Sequence, residues 1–305
     1  MIKRTIEVSS EPAHLTAKLE QLLILRKGET VGTIPCEDIG VVVVDQPQTT
    51  YSHAALSALL RSGAVLVVCG RDHLPAGVLL PLADHSQVVW RISEQIALRR
   101  PLCKQLWRQL VRAKIRAQAV NLPLDCPARK KLLELSQSVR SGDPSNVEAH
   151  AARVYWKHWL PGEAFRRDVD GDGVNALLNY GYAIIRAAMA RALVSAGLLP
   201  ALGLFHANRS NAFCLADDMM EPLRPLVDRR VRKLHCDGHR ELKPETKAGL
   251  LGLLADPVRV GRQRGPMMVS LHRMVTSLVC CYQGETKRLE IPRACISADT
   301  DVCGS

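Results

Sequence analysis

The side chains best able to do chemistry lie in residues 206–228. This segment holds one imidazole (His206), four carboxylates (Asp217, Asp218, Glu221 and Asp228) and two amides (Asn208 and Asn211), yet otherwise reads as a buried amphipathic helix. Burying charge without a partner is costly, so the stretch calls for a counter-charge, and a divalent metal would supply one. A mixed nitrogen and oxygen donor set of this kind suits Mg2+ or Mn2+ better than a thiolate-loving ion. If residues 211–227 are helical, Asp218 and Glu221 stand three apart and Asp217 and Glu221 four apart, so at least two carboxylates share a face. Pro222 cannot donate to the carbonyl of Asp218, which predicts a kink beside the acidic group.

The elements that would position these groups are helical from about residue 93 onward, with no strong strand pattern. A first long helix is expected over residues 93–119. Lys104, Arg108, Arg112 and Arg116 recur there at steps of four, beside an apolar row of Leu102, Leu106 and Leu110. Between Glu94 and Asp125 there are seven basic residues and no acidic one. Such a stripe can neutralise phosphates along a backbone; the competing interpretation is a solvated outer face. A second helix opens at residues 143–146, where Asp143 or Ser145 can cap and Pro144 suits a first turn. Glu148 lies three residues past Ser145 and reads locally as a capping-box carboxylate.

Residues 168–173 resemble the start of an EF-hand loop, but the twelfth position is Asn179 where a bidentate Glu is needed, so a turn is expected rather than a calcium site. The Ala- and Leu-rich helix that follows, about 174–196, should lie at the centre of a bundle. Two further basic clusters fall at 229–233 and 259–264, and an amphipathic helix at 267–282. Between the clusters, His235-Cys236-Asp237-Gly238-His239 lacks the second ligand pair a structural zinc requires. Beyond residue 285 a mobile tail is expected.

Residues 1–85 read differently. Short runs of branched residues at 5–8, 21–25, 30–34, 40–44, 65–68 and 78–80 predict strands, Lys27-Gly28-Glu29 a hairpin connection, and residues 52–62 a single helix. No catalytic groups collect there, so packing or dimerisation is the expected role. The resulting fold class is α+β: a small N-terminal β-rich domain (1–85), a linker (86–92), a larger all-α catalytic domain (93–285) and a tail (286–305).

Composition narrows the partners. The 305 residues carry 41 Lys+Arg against 30 Asp+Glu, a formal +11 with pI near 9.3, which favours a polyanion, nucleic acid before acidic membrane. A membrane-surface role fits less well because the basic helix has no aromatic-rich insertion face. Aromatics at 4% argue against a protein built on base-stacking platforms. Ten cysteines without a C-x-x-C pair, several in apolar runs, read as thiols of a reducing compartment, hence cytoplasm. There is no signal-peptide pattern and no run of eighteen uncharged apolar residues.

Three segments together carry a resemblance. Leu215-Ala-Asp-Asp-Met-Met-Glu-Pro-Leu-Arg-Pro-Leu-Val-Asp228 closely resembles the D-L-M-E-P-F-R-P-x-V-D signature of the CRISPR-associated endonuclease Cas1 family, the integrases of CRISPR adaptation. Asn146-Val-Glu-Ala-His-Ala-Ala-Arg-Val-Tyr155 looks like the family's helix bearing its first metal ligand, and Asn175-Ala-Leu-Leu-Asn-Tyr-Gly-Tyr-Ala-Ile184 like its N-x-L-L-N-Y-x-Y core helix. The match is strong over about 140–230, and the flavour is similar to type II systems, those with an RNA-guided Cas9 effector. The resemblance implies that Glu148, His206 and Glu221 hold Mg2+ or Mn2+ with Asp218 as a nearby carboxylate, which overrides the capping interpretation of Glu148. It also implies that Lys104, Arg108, Arg112, Arg116 and Arg224 hold double-stranded DNA, both the spacer fragment and the CRISPR repeat. The implied partners are a second copy in a homodimer, Cas2, and the type II effector complex; the implied reaction is attack of a fragment 3′-OH on a repeat-edge phosphodiester. The same residues leave open a structure-selective, metal-dependent nuclease using water, and a non-catalytic DNA-binding scaffold. Whether Asp217 or Asp218 supports the metal is also open.

Overall fold

Two buried strands explain how the two regions of the chain join. In the computed structural model, which describes residues 3–82, 85–160, 162–163 and 165–295, the chain begins with β1 (Arg4–Val8), β2 (His14–Lys18), β3 (Gln21–Arg26) and β4 (Glu29–Pro35). There follow β5 (Ile39–Val44), β6 (Thr50–Tyr51), α1 (His53–Arg61), β7 (Val65–Cys69) and β8 (Pro75–Leu79). Strands β1, β5 and β7 pair in parallel and β8 closes that sheet antiparallel, while β4, β3, β2 and β6 form a second one. Every residue of β5 is buried, as expected of a central parallel strand covered on both faces. Val41 and Val43, with Val65 and Val67 of β7, belong to the large helical core; Val42, Val44 and Leu66 belong to the smaller N-terminal core. Alternation along two strands therefore fuses the regions. A buried ion pair between Lys247 and Asp45, which also accepts from His73 Nδ1 at 3.0 Å, reinforces the seam.

The hairpin falls where expected but is tighter: Glu29 already pairs with Arg26, and Lys27 and Gly28 alone turn with φ of 50° and 86°, the left-handed values a two-residue connection needs.

The helical region comprises α2 (Val88–Ile96), α3 (Arg100–Val120), α4 (Pro127–Ser138), α5 (Val147–Trp159), α6 (Val174–Ser195), α7 (Cys214–Met220), α8 (Arg224–Cys236) and α9 (Pro244–Leu251). It ends with β9 (Pro257–Val260), β10 (Gln263–Pro266), α10 (Met267–Tyr282) and β11 (Arg293–Ala294). Helix α6 is the buried centre. Gly181 is required there, since an added Cβ would press on Val227 of α8.

Four expectations need correction. The helix expected over 93–119 is two, α2 and α3, because Pro101 would clash inside a continuous helix but is harmless in the first turn of α3. The expected linker 86–92 is largely taken up by the start of α2. The region beyond residue 93 is not all-α: β10, β9 and β11 form an antiparallel sheet. Finally, residues 286–295 of the expected tail are packed, with Leu289 buried and β11 paired to β9; the remainder, 296–305, lies outside the described residues.

Candidate metal centre and its basic surroundings

Three elements bring the expected ligands together. Helix α5 carries Glu148 in its first turn. Asp143 accepts hydrogen bonds from the amides of Val147 (3.0 Å) and Glu148 (2.9 Å), and Asn146, at φ 48°, is the N-cap. Asp143 and Asn146, which accepts from the Ala149 amide, thus perform the capping, and the Glu148 carboxylate is free to reach across to α3. Glu221 begins a short 3-10 turn (Glu221–Leu223) between α7 and α8, so the helix expected over 211–227 is broken at Pro222, as the proline requires. His206 sits in the loop before α7.

At their meeting point lies Lys114 of α3. Its Nζ is 2.5 Å from Glu148 Oε1 and 2.5 Å from Glu221 Oε2, and the lysine side chain is only 14% exposed. Arg224 Nε lies 2.7 Å from Glu221 Oε1, with its guanidinium 4.7 Å above the Tyr182 ring. Burial pushes the Glu221 carboxyl up, but Arg224 and Lys114 overcome that cost and hold it at about 2. Burial likewise pulls Lys114 down, and Glu221 and Glu148 outweigh it, so its pKa is raised and the ammonium stays charged. Asp228 is different. Burial drives it up to about 7 despite hydrogen bonds from the Tyr182 and Tyr155 hydroxyls.

His206 is oriented by Asp218. Its Nδ1 donates to Asp218 Oδ1 at 2.5 Å, and the amides of Leu204 (2.7 Å) and Phe205 (2.9 Å) donate to Oδ2. That hydrogen bond, then the charges of Asp218, Glu221 and Glu148, outweigh burial and raise the histidine pKa. Gly203 permits the tight loop, because a Cβ there would collide with the His206 carbonyl. Trp107 stacks on Phe205 with centroids 4.5 Å apart and planes 2° from parallel, and both meet the His206 ring edge-on at 5.4 Å.

The residues expected at the site divide accordingly. Glu148 and Glu221 converge on one point, and His206 lies close enough for both to act on its charge. Asp218 is consumed in holding the loop of His206, and Asp217 turns away to Arg186 (2.7 Å) and Asn211 (2.7 Å). Arg224, expected on DNA, is instead committed to Glu221 and Tyr182. Lys104, Arg108 and Arg116 are exposed and Arg112 half-buried, with Arg108 Nε donating to the Val139 carbonyl at 3.0 Å. Arg112 and Arg116 stand on the opposite side of α3 from Lys114, however, since two residues turn a helix by about 200°, whereas Lys104, ten residues away, falls within about 80° of it. Lys114, Trp107 and Phe205 were not singled out in the sequence. The available signal was that Lys114 continues the row of Leu102, Leu106 and Leu110, a cation where an apolar residue belongs.

The donor set fits a hard divalent cation. Glu148 and Glu221 already share a cation, Glu221 Oε2 accepts no well-oriented hydrogen bond, and the Nδ1 contact of His206 leaves Nε2 as the ligating nitrogen, the carboxylate–histidine arrangement common behind metals. Among the described residues no three His, Cys, Asp or Glu side chains are already drawn together as a metal cage; Lys114 occupies the position between the carboxylates.

Fold and site together define an α+β protein with a histidine–carboxylate centre beneath a basic surface. The profile of the family described as CRISPR associated protein Cas1 matches residues 6–246. The chain belongs to this Cas1 family. It is 41% identical over 283 residues to the CRISPR-associated endonuclease Cas1 of Neisseria meningitidis serogroup C, covering 91% of this chain and 92% of that one. It is 30% identical over 287 residues to a Cas1 endonuclease of Pyrobaculum aerophilum, covering 90% and 97%. Among solved structures the fold resembles a casposase bound to integration product (TM-score 0.78, 17% identity, 94% and 93% covered) and a CAS1 protein from Thermotoga maritima (TM-score 0.74, 16% identity, 92% and 97% covered). It also resembles part of a Cas6-RT-Cas1–Cas2 complex (TM-score 0.77, 17% identity, 95% of this chain and 36% of that one). Among the described residues no helix is long and apolar enough to cross a membrane.

Proposed function

We propose that the chain is a metal-dependent DNA integrase and endonuclease of CRISPR adaptation, joining the 3′ end of a short DNA fragment to a phosphodiester at the edge of a CRISPR repeat. The observation that carries this reading is the meeting of Glu148 and Glu221 on one cation beside an oriented His206. Glu148, Glu221 and His206 Nε2 would hold Mg2+ or Mn2+, which supplies Lewis-acid polarisation of the phosphodiester and favours loss of a proton from the attacking hydroxyl. The remaining roles belong to the chain itself. Asp218 fixes the imidazole tautomer and ring plane, Arg224 anchors Glu221, and Lys114 offsets the repulsion between the two carboxylates. The stripe on α3 holds DNA by its backbone more than by its bases. Membership of the family and the likeness to a Cas1–Cas2 complex support Cas2 and a second copy of the chain as partners, acting in the prokaryotic cytoplasm.

The test is an integration assay with Cas2, fragment DNA, a repeat-bearing plasmid and Mn2+. Joined products are expected, and Glu148→Ala, His206→Ala or Glu221→Ala should each abolish them while DNA affinity is retained. Cutting without joining under every metal would favour the nuclease reading; full activity in all three variants would sink the assignment.

A further inference from the structure

The sheet that no strand pattern announced carries a row of like charges. Arg259, on the middle strand β9, is in register with Arg264 on β10 and with Arg293 on β11. Residues directly opposite in a ladder project from the same face. That face is the outer one, because the neighbouring Val258 and Val260 are 2% and 5% exposed and take the inner. With strands about 4.8 Å apart the row spans about 10 Å. Like charges directly opposite destabilise a sheet unless an anion lies across them.

Two members of the row, Arg259 and Arg293, also line a cleft of about 850 Å3 whose other wall is α3, and Arg264 continues the row beyond it. Arg112, Arg116, Arg259, Arg288 and Arg293 line it, and Glu290 is the one acid among the lining residues. The wall is fastened in place. Gln109 of α3 donates through Nε2 to the Lys287 carbonyl (2.8 Å) and accepts through Oε1 from the Leu289 amide (3.0 Å), while Ser277 Oγ accepts from the Glu290 amide (2.9 Å). Among the described residues none of these arginines, nor Arg264, enters an ion pair, and Arg112 Nε is buried without a hydrogen-bond partner. No aromatic side chain lines the cleft, so it offers nothing for a base to stack on.

We propose that this cleft binds the phosphate backbone of a nucleic-acid strand, at a site separate from the Lys114 centre on the other side of α3. The proposal rests on the DNA reading above and extends it to residues outside the stripe. One strand presents a phosphate about every 3.4 Å of axis, so the row faces about three in succession. Guanidinium forks suit phosphate oxygens better than ammonium groups do. The lining selects for backbone and leaves sequence unread.

The test compares the intact chain with Arg259→Ala/Arg293→Ala by titrating labelled single-stranded and duplex DNA over a salt series, and by thermal melting with DNA or with inorganic phosphate alone. The double variant is expected to lose about tenfold in affinity and to show a salt slope shallower by about two, with an unliganded melting temperature no lower than that of the intact chain. Glu148→Ala should keep the full slope. Should the alanine pair melt early, Arg259→Lys/Arg293→Lys takes its place: it preserves the slope while weakening affinity, and a shallower slope there overturns the proposal. Unchanged affinity and slope in the alanine pair, with the intact chain binding DNA, overturns the cleft and leaves the Lys114 centre standing. An intact chain that binds neither DNA overturns both. Inorganic phosphate stabilising the intact chain as fully as DNA does would show a small-anion site and overturn the strand assignment.

Discussion

The two sides of α3 put positive charge to opposite uses. Facing inward, Lys114 is held by two carboxylates at 2.5 Å each, and the group is close to neutral and nearly buried. Facing outward, Arg112 and Arg116 look across a cleft at three more arginines with one acid among them. The first arrangement neutralises its own charge; the second is stable only in water or against an anion. A helix can support both because residues two apart in sequence are turned by about 200°. The difference teaches that local neutrality, rather than the number of basic residues, separates the inner arrangement from the outer one.

The largest effect should come from breaking the inner side. Glu221→Gln leaves Lys114 and Arg224 partly uncompensated, and removing one partner of a buried pair costs about 3–5 kcal/mol. A fall in melting temperature together with loss of joined products is expected; an unchanged melting curve would show that the inner charges are not mutually dependent. Lys114→Met sharpens the contrast. The variant should melt lower without divalent ions and gain more from Mn2+ than the intact chain, because the competing ammonium is gone. Equal Mn2+ stabilisation of the two proteins would remove Lys114 as the competitor.

A smaller effect concerns a third cation. Arg191 Nη1 lies 2.9 Å from His272 Nε2. Burial first, then Arg191 and Lys3, pull the imidazole down to about 4. The unfolded chain therefore binds this proton more readily than the folded one. The contribution of His272 is fully present above about 6.5 and declines as pH falls from there toward 4. His272→Gln should flatten that part of the stability–pH curve, measured by denaturant melts at several pH values; an unchanged slope would refute the coupling. The smallest effect is on the outer face. Arg116→Ala should change stability by no more than about 0.5 kcal/mol and reduce the salt slope of DNA binding by about one. A large stability loss there would mean the outer arginines are structural after all.

How much of this was legible in the sequence depended on how local each cause was. Pro222 announced its break because a missing donor acts on its own turn, and Lys27-Gly28 announced its hairpin for a similar reason. Glu148 was ambiguous locally, since the spacing from Ser145 fits a cap; only the structure shows Asp143 doing that work. The sheet of β9, β10 and β11 was invisible because Pro257-Val-Arg-Val260 and Gln263-Arg-Gly-Pro266 are short, arginine-bearing and proline-flanked. Its third strand also comes from beyond α10. Helix α4, centred on Leu132 and Leu135, was passed over beside the stronger pattern of α3. The role of Asp218 was hidden most deeply: beside His206, its partners are the backbone amides of Leu204 and Phe205, which have no letter in the sequence.

Pairing of β11 with β9 also has a consequence for the order in which the protein comes into being. Chains are made from the N-terminus and begin to fold in that direction, so Lys114, Glu148, His206 and Glu221 all leave the ribosome before Arg293. The last strand to arrive completes the arginine row, so this charged face is finished only after every residue of the inner group has been made.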